Sequence, residues 1–246
     1  MRKFKISWDS GYNSIDKRRP IVFVSATVYD KKDMLVTIKN ILESAGYDVR
    51  ISSAGTVPAD SSISAYDNCL NAVKDSDFFI GIISPSYGSG IIKTKGVSIT
   101  HEEIRQAREL RKPRLILVDE RVKTVADFLN HLGFRHNKGR MEFRTLIEHY
   151  LGTSYHAFKN VAKICDIRSV DLYDEMLLGE DVNPAKPAEE RKGNWIQDYR
   201  TIKDFKTYLA AQFSCLQVTE IFEGQDEAVS LIKKSLPAID FGKEVQ

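Results

Sequence analysis

Two adjacent glutamates, Glu102 and Glu103, open a segment in which a carboxylate could either cap a helix or do chemistry. The segment is SITHEEIRQARELRKP, from Ser98 to Pro113. Thr100 is followed three residues later by Glu103, a spacing that fits a capping box, in which each side chain satisfies a free backbone amide of the other residue. A catalytic role for Glu103 is the alternative, and the residues alone leave both interpretations open.

Helical phase separates the two acids. Glu103 shares a face with Ala107 and Leu110, the apolar stripe expected to pack on a sheet, whereas Glu102 and Glu109 point toward solvent. Glu103 is therefore the candidate catalytic residue. Because the amino terminus of a helix favours an ionised carboxylate, we expect Glu103 to act as a nucleophile or cation stabiliser rather than as a general acid.

The elements that must position Glu103 form an alternating pattern of strands and helices. Four short apolar runs predict strands: IVFVSA at 21–26, YDVRIS at 47–52, DFFIGIIS at 77–84 and PRLILV at 113–118. Stretches with helical spacing of apolar residues lie between them. The alternation predicts an α/β fold, namely a flavodoxin-like open parallel sheet in the order 2-1-3-4 with helices on both faces.

The pattern changes after Asp119, where helical stretches follow one another and a charged, proline-containing segment, Glu180 to Asn194, resembles a linker. We therefore expect an N-terminal segment at 1–19, an α/β domain at 20–120 and a mainly helical C-terminal extension at 121–246. Trp195 is expected to anchor the extension, since burial of a large ring is worth a few kcal/mol.

Ligands bind at the carboxyl ends of strands in open parallel sheets. The loops predicted there are small and rich in hydroxyl groups, which lets backbone amides approach a phosphate or a ribose. The candidate substrate-binding residues are Ser25, Thr27, Ser53, Ser84, Ser86, Tyr87 and Gly88. Turn formation is an equal alternative for each loop, and Tyr87 could stack on a base or pack against its own loop. Neither of the common glycine-rich phosphate-binding fingerprints is present.

Composition excludes several classes of protein. With a formal net charge of +2, nothing in the composition suggests a basic groove for nucleic acid or a polybasic membrane patch, so we expect neither partner. The three cysteines are far apart, which argues against disulfides and a zinc site, and no apolar run approaches the ~20 residues that span a bilayer. We therefore expect a cytoplasmic protein without a metal. Cys69 is predicted to lie in the core, and His101 is predicted to face solvent.

The run EIRQARELRKP, from Glu103 to Pro113, is similar to the E-I-G-x-A-x-A-x-G-K-P segment of nucleoside 2-deoxyribosyltransferases. In that family the glutamate forms a covalent bond with the anomeric carbon of the sugar. The resemblance therefore implies that Glu103 is the catalytic residue. The present sequence differs from the transferase pattern at Arg105 and Arg111, where that pattern has glycine, and in the insertion IIKTKGV at 91–97, which implies an altered pocket.

The longer stretch from Pro20 to Asp119 includes IVFVSATVYD at 21–30, CLNAVKDSDFFIGIISPSYGSG at 69–90 and HEEIRQA at 101–107. Through these motifs it resembles a bacterial domain of unknown function related to Toll/interleukin-1 receptor (TIR) domains. Many TIR relatives cleave NAD between nicotinamide and ribose, often as antiviral effectors. The resemblance implies a TIR-like hydrolase with NAD or another nucleotide as substrate rather than as cofactor. It also implies a homo-oligomer and a protein partner from the same defence system. The alternative is a nucleotide-binding or assembly module without turnover.

Overall fold

The computed structural model describes residues 18–26, 32–88, 90–92, 94–152, 164–177 and 196–221. Thr27 and Trp195, two residues with predicted roles, lie outside these ranges. The anchoring role of Trp195 therefore stays a prediction.

A five-stranded sheet forms the centre of the fold, and every neighbouring pair of its strands is parallel. Its strands are β1 (Ile21–Ala26), β2 (Asp48–Arg50), β3 (Phe78–Ile83), β6 (Arg114–Asp119) and β7 (Ile196–Tyr199), in the order β2-β1-β3-β6-β7. A separate antiparallel hairpin pairs β4 (Ile91–Ile92) with β5 (Val97–Ser98). Because β6 is the fourth predicted strand, the predicted order 2-1-3-4 is confirmed.

Helices cover both faces of the sheet, as predicted. The helices are α1 (Lys32–Ser44), α2 (Ala65–Asp75), α3 (Ile99–Glu109), α4 (Glu120–His131), α5 (His136–Leu151), α6 (Ile167–Leu177) and α7 (Ile202–Ile221). Apolar residues of α1 and α7 share one core with the sheet, and those of α2, α3, α4 and α6 share the other. None of the described helices has the length and apolar character needed to cross a membrane.

Successive residues of the central strands feed these two cores. In β1, Val22 and Val24 point to the core of α1 and α7, while Phe23 points to the opposite core. In β3, Ile80 points to the core of α1 and α7, and Phe79 points to the opposite core. Burial of both faces explains why these strands are continuous apolar runs in the sequence rather than alternating ones.

The strand β7 comes from the segment that was expected to be mainly helical. It pairs with β6 from Ile116↔Ile196 to Asp119↔Tyr199, so the extension supplies the fifth strand of the sheet as well as helices. The sequence IQDY lacks the apolar run that identified the other strands, because an edge strand buries less of its surface. The division of the chain at residue 120 stays a prediction.

A glycine in β3 lets α3 approach the sheet closely. A Cβ atom on Gly81 would lie 2.8 Å from Ile116 Cδ1 and 3.2 Å from Ile104 Cγ1. A larger residue at this position would require the side chains of Ile116 and Ile104 to shift. The close approach of α3 brings Glu103 against the carboxyl end of β1. This end lies beside the point where the strand order of the sheet reverses.

Candidate active site

Glu103 is a buried carboxylate at the carboxyl edge of the sheet. Only 2% of its surface is exposed, and it extends from α3 toward the end of β1. There the hydroxyl of Ser25, itself 1% exposed, donates a hydrogen bond of 2.5 Å from Oγ to Oε2 of Glu103. The structure therefore brings together the predicted catalytic residue and one of the predicted binding residues.

Cys69 is a second hydrogen-bond partner of Glu103. It lies on α2, is buried as predicted, and its thiol bonds to the Glu103 carboxyl. Burial and the nearby charge of Glu103 raise the pKa of Cys69 to about 12, so the thiol keeps its proton and can donate. Nothing in the sequence indicated this contact, because the two residues lie on different helices.

Burial dominates the chemistry of the Glu103 carboxyl. Loss of water raises the pKa of Glu103 from 4.5 to about 7, although the hydrogen bonds from Ser25 and Cys69 act in the opposite direction. Within the part of the chain that the structure describes, no basic side chain forms an ion pair with it. The carboxyl is therefore partly protonated at neutral pH, and it can be an acid or a nucleophile according to pH.

The expectation that a helix terminus holds Glu103 ionised is wrong, and the alternative interpretation of Thr100 and Glu103 as a capping box is wrong as well. The helix cap is Ser98, whose Oγ accepts a hydrogen bond from the backbone N–H of His101 at 3.2 Å. This register places Glu103 in the second turn of α3, and the influence of the helix dipole falls off within the first turn. Glu103 is thus free of any capping role. Leu110 is also not part of the packed stripe, since it is 43% exposed just after the helix ends.

The cap assignment predicts different effects for two neighbouring hydroxyl residues. Ser98→Ala removes the acceptor for the His101 amide and should lower the free energy of unfolding by about 1 kcal/mol. Thr100→Ala is the matched control, and it should change stability by less than about 0.5 kcal/mol because Thr100 is already inside the helix. Urea denaturation of both variants checks this. A larger loss from Thr100→Ala than from Ser98→Ala would restore the capping box.

A second polar cluster lies on the other side of α3. Tyr87 Oη is 2.6 Å from His101 Nδ1, and His101 Nε2 is 2.9 Å from the Glu175 carboxylate on α6. His101 is buried, so the prediction of a solvent-facing histidine is wrong. Burial raises the pKa of Glu175, but hydrogen bonds from His101 and Arg105 outweigh it and lower that pKa to about 2. Glu175 is therefore an anion that can only accept.

Three of the remaining predicted binding residues lie at a small cavity whose lining does not include Glu103. Ser84, Ser86 and Tyr87 line a cavity of about 10 Å³, near the size of one water molecule, together with residues of α3 and α6. Gly88 follows with φ +86°. Ser53 lies in a short 3-10 helix after β2, and its role, like that of Thr27, stays a prediction.

The structure places all three departures from the transferase pattern, and it gives Arg105 a clear role. Arg105 Nε and Nη2 bond to the two carboxylate oxygens of Glu175 at 2.8 and 2.7 Å, so this arginine joins α3 to α6. Arg111 follows α3 with φ +52°, a left-handed conformation that glycine adopts more easily. The segment 91–97 supplies β4, the turn of the hairpin and the first residue of β5, and Lys95 in this turn forms an ion pair with Glu102.

Among the residues that the structure describes, no group of three or more His, Cys, Asp or Glu side chains is arranged to hold a metal ion. The polar groups of the candidate site are instead a carboxyl, a hydroxyl and a thiol. These groups can bind or protonate a sugar or base directly.

Residues 21–173 match the model of a protein family described as a domain of unknown function, DUF4062. Among solved structures, the chain is similar to the CMP N-glycosidase BcmB of Clostridium botulinum, with 24% identity, a TM-score of 0.28, and coverage of 41% of this chain and 69% of that chain. It is also similar to a 2-deoxyribosyltransferase of Bacillus psychrosaccharolyticus, with 18% identity, a TM-score of 0.31, and coverage of 40% and 72%. No curated protein matches. The family match spans Ser25, Cys69 and Glu103.

Proposed function

We propose that this chain, which belongs to the DUF4062 family, cleaves the N-glycosidic bond of NAD or a related nucleotide with Glu103 as the catalytic residue. The observation that carries the proposal is the buried Glu103 carboxyl, held by Ser25 at the carboxyl edge of a parallel sheet. This edge, beside the reversal of strand order between β1 and β3, is where open α/β sheets bind their ligands. The resemblance of the Glu103 to Pro113 segment to nucleoside 2-deoxyribosyltransferases points to the same residue.

The chemistry requires a group that stabilises positive charge on the sugar. As the bond between the anomeric carbon and the base nitrogen breaks, the base leaves with the electron pair and the sugar becomes cationic. Ionised Glu103 would stabilise this cation or attack its anomeric carbon, and water would then release the sugar. A carboxylate acts more strongly in a site without water than in bulk solvent.

The finer features of the proposal come from the resemblance to TIR relatives. In these features, the chain is a TIR-like hydrolase that acts in antiviral defence, forms a homo-oligomer and works with a protein partner. The stretch that carries this resemblance includes IVFVSA, which forms β1 and supplies Ser25. Activity that depends on oligomer formation would support these features.

A non-catalytic nucleotide-binding or assembly module is the second candidate. The specific observation in its favour is the low exposure of Glu103, whose hydrogen bonds with Ser25 and Cys69 already satisfy the carboxyl. Because these partners already satisfy the carboxyl, Glu103 needs no sugar ligand to complete its hydrogen bonds. The two candidates differ in whether a ribose can reach Glu103.

Incubation of the purified chain with NAD and a panel of nucleosides and nucleoside monophosphates separates the candidates. Chromatography of the products should show free nicotinamide or a free nucleobase, with the Glu103→Gln variant as the background. The assay is repeated with the chain oligomerised at high concentration. Release of no base from any member of the panel under both conditions would leave the binding module as the function.

The buried carboxyl also predicts how folding stability depends on pH. The pKa of Glu103 in the folded chain, about 7, lies above its ordinary value of 4.5, so the folded state binds this proton more tightly than the unfolded chain does. The resulting stability is fully present below pH 4.5 and is lost as the pH rises through about 7. The loss should be about 3 kcal/mol, at about 1.4 kcal/mol for each unit of pKa.

Urea denaturation of wild type and Glu103→Gln at about pH 5 and about pH 8 measures this loss. Glutamine does not titrate. Between the lower and the higher pH, the unfolding free energy of the wild type should therefore fall relative to that of Glu103→Gln. An equal pH dependence in both proteins would show that burial does not raise the pKa of Glu103.

A further inference from the structure

Glu175 on α6 gathers three basic side chains of α3. Its carboxylate takes two hydrogen bonds from Arg105, lies 2.9 Å from His101 Nε2 and 3.4 Å from Arg108 Nη2. Arg108 also donates to the backbone carbonyl of Glu175 at 3.3 Å. The helix that carries Glu103 is therefore fixed by a residue from the second half of the chain.

The contact continues from α3 into the loop after β3. Because the Glu175 carboxylate can only accept, Nε2 of His101 carries a proton, and in neutral imidazole Nδ1 is then an acceptor. Tyr87 Oη accepts a hydrogen bond from the backbone N–H of Ser98 at 3.2 Å, which leaves its own proton to donate to Nδ1. A directed chain of hydrogen bonds thus runs from Tyr87 through His101 to Glu175.

The start of α6 holds the same loop from a second direction. The backbone N–H of Asp166 donates to the carbonyl of Pro85 at 2.8 Å. The guanidinium of Arg168 lies 4.5 Å from the centre of the Tyr87 ring, where it can make a cation–π contact. Residues 84–88, which contain four of the predicted binding residues, are therefore packed on α6 as well as on α3.

We propose that Glu175 is a positioning residue, which fixes residues 84–88 through His101 and Tyr87 and so sets the affinity for substrate; the part concerning substrate rests on the proposed function. Glu175 does not touch Glu103. Residues two apart on a helix face in different directions, so His101 turns toward α6 while Glu103 turns toward β1. Loss of Glu175 should therefore change the order of the loop and leave the Ser25–Glu103 contact in place.

The test is Glu175→Gln, which keeps the size but removes the charge that Arg105 and Arg108 share. Hydrogen–deuterium exchange of peptides covering residues 84–98 should become about tenfold faster, while the strands β1 and β3 keep their wild-type protection. In the base-release assay, KM should rise about tenfold with kcat within about twofold of wild type, the signature of lost binding without lost chemistry. Glu109→Gln, at the exposed end of the same helix, is the matched control and should change neither quantity.

Tyr87→Phe tests whether Glu175 acts through the hydrogen-bonded chain. Tyr87→Phe should speed the hydrogen–deuterium exchange of residues 84–98 as Glu175→Gln does. The double variant Tyr87→Phe/Glu175→Gln should exchange no faster than either single variant, because the effects of two substitutions in one hydrogen-bond network do not add. Unchanged exchange in Glu175→Gln, or an equal increase across β1 and β3, would overturn the positioning role. The exchange measurement needs no turnover, so it decides this role even if the wild type releases no base, a result that overturns the proposed function alone.

Discussion

Glu103→Gln is expected to lower the rate of base release by about a hundredfold or more, the size of effect seen when one electrostatic group is removed from an active site. Glutamine has nearly the same shape, and its carbonyl oxygen can still accept the hydrogen bond from Ser25 Oγ. It cannot carry the negative charge that a cationic sugar requires or attack the anomeric carbon. The folded structure should therefore survive while the chemistry is lost. Initial rates of base release, followed by chromatography under saturating substrate, measure the effect.

Glu102→Gln is the matched control. Glu102 is the neighbour of Glu103 on α3, but it faces Lys95 and Arg105 rather than Ser25. Its replacement should change base release by less than about twofold and stability by about 0.5 kcal/mol, as is usual for partly exposed ion pairs. A Glu103→Gln variant that unfolds, or one that keeps wild-type turnover when folded, would contradict the catalytic assignment and favour a purely structural carboxyl.

Arg140→Ala is expected to produce the largest loss of stability, about 3–5 kcal/mol, because it removes one partner from a buried ion cluster. Arg140 on α5 is 0% exposed and forms an ion pair with Asp174 on α6, with Asp171 3.9 Å away. Alanine would leave two carboxylates buried with only Arg144 to balance them. The free energy of unfolding from urea denaturation at neutral pH measures the loss.

Lys138→Ala on the same helix controls for the loss of a long basic side chain. Lys138 is exposed, so its removal should change the free energy of unfolding by no more than about 0.5 kcal/mol. If Arg140→Ala were as mild as Lys138→Ala, water would have to replace the guanidinium without cost, and the cluster would not hold α5 on α6.

The order of the sheet could be predicted because its four main strands are buried on both faces and therefore stand out as apolar runs between helices. β7 could not, because IQDY is a short edge strand and its pairing with β6 depends on a partner far away in the chain. The same limit explains the second polar cluster. Nothing local to His101 indicates that a glutamate of α6 will lie beside it, so an exposed histidine was the natural expectation.

Within the candidate site, the inward direction of Glu103 followed from helical periodicity, but its surroundings did not. Ser98 and Thr100 are both hydroxyl residues that can cap a helix, and only the backbone geometry selects Ser98. Because the helix cap lies two residues before Thr100, Glu103 has no capping role and its carboxyl can bond to Ser25 instead. The contact with Cys69 depends on how α2 and α3 pack, which periodicity does not specify.

The late position of β7 in the chain has a consequence for synthesis on the ribosome. The apolar strand β6 is complete at Asp119, but the strand that covers its outer edge begins only at Ile196. At usual translation rates the open edge would wait on the order of ten seconds for its partner. An uncovered apolar edge is a template for pairing with other chains. The nascent protein therefore passes through a period in which it must be kept from aggregation, and messages truncated before Ile196 would extend that period indefinitely.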